Sequence, residues 1–157
     1  MLSSALIGLM MNASGIALPP IDQKQVTCLA QNAYFEARSQ SQLGQYAVTH
    51  VVLNRVRSKD FPNNVCSVIK QGQRRNGVMV KHKCQFSWYC DGKADVIDDK
   101  KAWNESLSLV MNAYMVYYLG FDASIGATFY HANYVRPHWS KVFTKVVRID
   151  DHIFYKN

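Results

Sequence analysis

Between Asp99 and Leu119 the residues Trp103, Leu107, Val110, Tyr114 and Tyr117 recur at alternating intervals of four and three, which places them on one face of a long helix. Asp99 opens this segment and Gly120 follows it, as expected of a helix start and stop. Such a helix needs partners for its apolar stripe. Lys24–Ser39 offers one, with Val26, Leu29, Ala30, Ala33, Tyr34 and Ala37 at helical spacing. Leu43–Arg57 offers a second, apolar enough to be largely buried. Phe61-Pro62-Asn63-Asn64 then redirects the chain, because a proline disfavours the helical region for the residue before it. A short helix is expected over Val65–Gln71. Gly72–Asp98 has weak periodicity and the turn formers Asn76-Gly77 and Asp91-Gly92, which suit loops and a hairpin. Ala127–His131 and Phe143–Ile149 are β-rich. The expected fold class is α+β, helix-dominated, with a small β element.

A chain of 157 residues with no linker and no internal repeat fits one domain. Residues 1–21 are apolar and uncharged up to Asp22, and read as an export signal or membrane-associated segment, leaving 22–157 as the single folded domain. The net charge of +7 favours polyanionic partners: nucleic acid, anionic membrane or an acid-bearing cell wall. Part of that charge lies in Arg74, Arg75, Lys81, His82 and Lys83, which lack the interleaved aromatics of a nucleic-acid stacking platform and read as a solvated face. Cys28, Cys66, Cys84 and Cys90 form an even set, so two disulfides in any of three connectivities suit an exported chain.

The chain has only two glutamates. Glu105, between Asn104 and Ser106 on the long helix, reads as a solvated helix residue. Glu36 lies in Tyr34-Phe35-Glu36-Ala37-Arg38, at the expected end of the first helix. There the helix dipole and the aromatic neighbours both raise a carboxyl pKa, while Arg38 would oppose them if turned inward. A carboxylic acid kept protonated near neutrality is what glycosidic bond cleavage asks of its general acid. The bland alternative is a buried glutamate paired with Arg38 or Arg55. His131, His138 and His152 show no spacing typical of a zinc hydrolase, and neither a metal nor a cofactor is expected.

Several motifs in register carry a resemblance to a known family. They are Tyr34-Phe35-Glu36-Ala37-Arg38, Gly44-Gln45-Tyr46-Ala47-Val48 leading into Leu53-Asn54-Arg55-Val56, and Phe61-Pro62 with Val65-Cys66-Ser67-Val68-Ile69. Cys84-Gln85-Phe86-Ser87-Trp88 follows, then Gly126-Ala127-Thr128-Phe129-Tyr130-His131-Ala132, Trp139, and His152 with Phe154-Tyr155. In these the chain resembles the cell wall hydrolase family typified by the spore cortex-lytic enzyme SleB. It departs from the pattern at Ser39, where an acidic residue or glycine is more usual.

The resemblance implies a lysozyme-like or lytic-transglycosylase-like two-lobed domain acting on peptidoglycan at the bond between N-acetylmuramic acid and N-acetylglucosamine. It makes Glu36 the catalytic residue and Gln85, Phe86, Ser87, Trp88, Tyr130 and His131 candidates for substrate binding. No second acid lies in a matching motif except Asp91, whose Asp-Gly setting reads first as a turn. This favours a lytic transglycosylase, giving 1,6-anhydromuramic acid ends, over a hydrolytic muramidase, which needs two carboxylates. Two rivals are a noncatalytic peptidoglycan-binding module and a basic nucleic-acid-binding domain. Peptidoglycan, not nucleic acid, is the expected partner of an extracytoplasmic monomer, with transient membrane association through residues 1–21. Of the three disulfide connectivities, Cys66 with Cys90 and Cys28 with Cys84 is favoured, because the motif segments holding Cys66 and Cys90 should both approach the cleft.

Overall fold

The computed structural model describes residues 17–157. The segment assigned to export or membrane association lies mostly outside the described residues; of its described end, Leu18 and Ile21 pack on the core. Among the described residues no helix is long and apolar enough to cross a membrane.

Three helices form the body: α1 (Gln23–Ala37), α2 (Gln42–Arg57) and α4 (Lys100–Tyr118), with the single-turn α3 (Val65–Ile69) against α1 and α2. Each begins at a side-chain cap. Asp22, Ser41, Asn64 and Asp99 accept hydrogen bonds from the backbone N–H groups of Gln25, Gly44, Ser67 and Ala102, satisfying donors that a helix start leaves free. The stripe that defined the long helix meets α1 in a core built around Leu29, Ala33, Leu53, Val68, Val110 and Tyr114. Its polar side carries Glu105, which is exposed and 3.9 Å from Lys101, as expected of a solvated helix residue.

Two small antiparallel sheets complete the chain. β1 (Gly72–Arg75) and β2 (Val78–Cys84) form a hairpin through Asn76-Gly77, both with positive φ, as a two-residue turn of this kind requires. The second sheet has the order β3-β5-β4, from β3 (Phe129–Ala132), β4 (Thr144–Ile149) and β5 (His152–Lys156). β5 was not anticipated. As the central strand it buries the neighbouring Phe154 and Tyr155, so the alternation that marks a half-exposed strand is missing. A second core cluster, Ala37, Ala47, Val48, Val51, Ile149 and Phe154, joins this sheet to α2.

The β4–β5 turn also touches the start of α2. Asp150, at φ +50°, accepts from the Ser41 N–H at 2.9 Å and the Ser41 hydroxyl at 2.6 Å. A Cβ on Gly44 would stand 2.5 Å from the Asp150 carboxylate, so a larger residue here would displace Asp150 from Ser41.

The cysteines pair differently from the expected Cys66–Cys90 and Cys28–Cys84. Cys28 joins Cys66, and Cys84 joins Cys90. Cys28 and Cys66 lie on α1 and α3, which pack together with those Cα atoms 5.4 Å apart. Cys84 ends β2 and Cys90 ends a 3₁₀ turn (Ser87–Cys90) that folds straight back on the strand, leaving their Cα atoms 6.0 Å apart. Proximity to the cleft did not fix which sulfurs meet; the local path of the chain did.

The first bridge spans 38 residues and the second 6. On chain entropy, replacing the Cys28/Cys66 pair with alanines should cost about 4 kcal/mol, and replacing Cys84/Cys90 about 2 kcal/mol. Urea unfolding of the two double variants would measure both, and equal losses would contradict this ordering.

Candidate active site

Glu36 sits one residue before the end of α1, where the helix runs into a cleft of about 910 Å³ between the helical body and the β elements. The Tyr130 hydroxyl, from β3, donates to Glu36 Oε2 at 2.8 Å. Burial raises the Glu36 pKa above the ordinary carboxylate value, and the Tyr130 hydrogen bond and the positive charge of Arg55 pull part of the way back. Arg38 takes no part: it is exposed and its guanidinium lies over the Tyr34 ring, 4.5 Å from the centroid.

Arg55 is the unexpected member of the site. It is 3% exposed and donates through Nε to the Thr128 carbonyl at 2.7 Å. The rings of Phe61, Phe86 and Phe129 surround its guanidinium at 5.1–5.4 Å. It forms no ion pair within 4.0 Å, and its Nη1 has no hydrogen-bond partner. Burial lowers its pKa to about 10, so it stays charged at neutral pH. The sequence held a signal for it: Asn54-Arg55 interrupts the apolar run Val51–Val56, and polar groups on a buried helix face need a reason to be there.

Asn54 supplies that reason for the neighbouring loop. Its amide donates to Asp122, Ser124 and the Ala127 carbonyl at 2.9–3.0 Å, and its carbonyl accepts from the Tyr117 hydroxyl at 2.6 Å. Together Asn54 and Arg55 fix the segment that enters β3, and so place Tyr130 over Glu36.

Six of the seven candidate site residues line this cleft: Glu36, Gln85, Ser87, Trp88, Tyr130 and His131. Gln85 and Ser87 expose their side chains. Trp88 is only 8% exposed, stacks on Phe35 at 4.9 Å, and donates from its indole to Asn32 at 2.9 Å, so it forms wall more than platform. His131 stacks on Tyr155 and shares a 3.0 Å hydrogen bond with its hydroxyl. Phe86 does not reach the cleft; at 1% exposure it lies beneath, against Arg55 and Tyr130.

Gln71, Asp91 and His152 also line the cleft and were not among the candidates. Three buried side-chain polar atoms among the described residues have no partner: Arg55 Nη1, Gln71 Oε1 and His152 Nδ1. All three residues belong to this one cleft. Unsatisfied buried polar groups are rare in native proteins, so these three leave the cleft with hydrogen-bonding capacity free for solvent or a ligand. Among the described residues no group of three His, Cys, Asp or Glu is arranged to hold a metal ion.

A helix-rich α+β domain with a partly buried glutamate lining an open cleft has the makings of an enzyme, and the chain belongs to the cell wall hydrolase family, whose model matches residues 39–155. That span begins just beyond Glu36, so the case for Glu36 rests on the geometry above. The fold is similar to the catalytic domain of the Bacillus cereus SleB protein (TM-score 0.64, 28% identity, 88% of this chain and 95% of that one). It is equally similar to the catalytic domain of the germination-specific lytic transglycosylase SleB from Bacillus anthracis (TM-score 0.63, 28% identity, 87% and 97%). A spore cortex-lytic enzyme of Halalkalibacterium halodurans is 31% identical over 130 residues, 82% of this chain but 34% of that protein. One from Bacillus cereus is 27% identical over 135 residues, 85% and 45%. The chain thus spans less than half the length of these curated relatives.

A desolvated carboxylate is a cost to the fold. Glu36→Gln removes it while keeping an acceptor for Tyr130, and should stabilise the protein at neutral pH by on the order of 1 kcal/mol, or about 2–4 °C in Tm. Because the folded-state pKa is raised, the gain should shrink as pH falls through that raised value and be gone below 4.5, where the carboxyl is protonated folded or unfolded. With only two glutamates in the chain, carboxyl carbon NMR resolves Glu36 directly. Arg55→Met should move its titration to higher pH, and an unmoved titration would show that Arg55 exerts no field there.

Proposed function

We propose that the protein cleaves the glycan strands of peptidoglycan between N-acetylmuramic acid and N-acetylglucosamine as a lytic transglycosylase. The observation that carries this reading is a single glutamate, held toward its acid form and hydrogen-bonded by Tyr130 in an open cleft. The Glu36 carboxyl gives its proton to the glycosidic oxygen as the bond to the muramic acid C1 breaks. The carboxylate that results is stabilised by the Tyr130 hydroxyl and by the charge of Arg55. It then takes the proton of the muramic acid 6-hydroxyl as that oxygen bonds to C1, closing the 1,6-anhydro ring and restoring the acid. Intramolecular attack of this kind is worth on the order of 7 to 11 kcal/mol relative to a free nucleophile, so no second carboxylate is required.

Hydrolysis by water is the second reading, and Asp91 is what favours it, since this residue lines the cleft. Its Oδ1, however, accepts from the Lys93 N–H at 2.8 Å in a turn. Gln85, Ser87, Trp88, Tyr130 and His131 are the residues placed to contact the sugars, with Phe86 supporting them from below. Two disulfides suit an oxidising, extracytoplasmic setting, and the enzyme acts there as a monomer.

Mass spectrometry of fragments released from purified peptidoglycan tests this reading. Fragments should end in 1,6-anhydromuramic acid and fall at least about 100-fold with Glu36→Gln. Reducing-end muramic acid would instead make water the nucleophile, and that product lost with Asp91→Asn would name the second carboxylate. Tyr130→Phe should lower kcat by about 10- to 100-fold, the worth of one hydrogen bond to a developing charge. The rate should be flat at low pH and decline as pH rises through the elevated Glu36 pKa, because the protonated form starts the reaction.

A further inference from the structure

From Phe61 to Cys90 the chain has no Asp or Glu, yet it carries Lys70, Arg74, Arg75, Lys81 and Lys83. Four of these cations ride on the β1–β2 hairpin, which is shaped to present them. Gly72 pairs with Cys84 and Arg74 with Met79, so five steps of β2 oppose two of β1. Val80-Lys81-His82-Lys83 thus stand opposite the single Gln73, with His82 at φ +62°. Bulges of this kind re-aim side chains and occur often beside active sites. Arg74, Arg75, Lys81, His82 and Lys83 are all exposed.

The base of the arm is part of the cleft, lined by Gly72, Gln73, Lys83 and Cys84. The Cys84–Cys90 bridge ties the arm to the 3₁₀ turn that carries Ser87. The end of Lys81 lies against Gly92, where an added Cβ would stand 2.5 Å from Lys81 Cε. Asp91 and Asp95 lie on that neighbouring loop, but neither comes within 4.0 Å of a hairpin cation. Among the described residues the side-chain ion pairs are His50 with Asp122 and Lys101 with Glu105, neither on this arm. Clustered like charges repel one another, and an anionic partner offsets that repulsion.

We propose that the bulged β1–β2 arm is a second recognition surface, which grips the free carboxylates of the peptide stems that hang from a glycan strand lying in the cleft. This rests on the peptidoglycan reading above and adds the part of the polymer that the arm contacts. Stems are favoured over a separate polyanion because the arm rises from the cleft wall itself, within reach of whatever projects from the bound strand.

The test compares the full chain with Arg74→Gln/Arg75→Gln/Lys81→Gln, three exposed positions outside the cleft lining. Two substrates are used, both freed of phosphodiester polymers: peptidoglycan with its native stems, and the same material with its stem carboxylates converted to primary amides. On native stems the triple variant should lose on the order of tenfold in kcat/KM. That gap should close as salt approaches 1 M, where the screening length falls to about 3 Å. On amidated stems the two proteins should be equally fast, and Arg74→Lys/Arg75→Lys should keep the native rate on both substrates. A variant slowed equally on both substrates, or on neither, would overturn the proposal, as would a gap seen only when phosphodiester polymer is left attached. If the unaltered protein cleaves neither substrate, it is the glycan-cleaving function that fails.

Discussion

The site depends on two adjacent polar residues near the end of α2. Asn54 and Arg55 point from a buried helix into the segment that precedes β3, and between them they engage Asp122, Ser124, Ala127 and Thr128. Buried hydrogen bonds of this number are costly to leave partly made, so the segment has one position relative to α2. Two residues further on, Tyr130 inherits that position and meets Glu36 from α1. The Glu36–Tyr130 pairing is therefore set by a third element, which itself contributes a charge to it.

The packing around this node explains why the charge is tolerated. Phe61, Phe86 and Phe129 enclose the Arg55 guanidinium and keep carboxylates away from it. A closer counter-ion would have spent the field of Arg55 on a permanent salt bridge. Instead the field acts on Glu36 at a distance, opposing the desolvation that keeps its proton on. Under the mechanism proposed above, opposed effects of this kind suit a group that gives up a proton and takes one back in the same turnover.

Much of this was legible in the sequence, unevenly. The helices were, because α1 and α4 carry apolar residues at helical spacing, α2 is apolar enough to be buried, and Asp99 marks the start of α4. The Asn76-Gly77 hairpin was, because that dipeptide supplies two residues with positive φ. Glu36 stood out as one of two glutamates, set among aromatics at a helix end. β5 was not legible, since burial on both faces erases alternation. Nor was the sulfur pairing, which depends on how α3 lies on α1 and how tightly the chain turns after β2. Arg55 was visible only as a possible partner of Glu36: local pattern shows that a polar residue is buried but not what it faces.

The strand order has a consequence for how the protein is made. β3 and β4 touch only through β5, which follows both in the chain. Asn54 and Arg55 can engage the segment before β3 as soon as it is made, but β3 gains its strand partner only with β5. The cleft wall that carries Tyr130 is therefore completed as a sheet only when β5 inserts between two strands that both precede it.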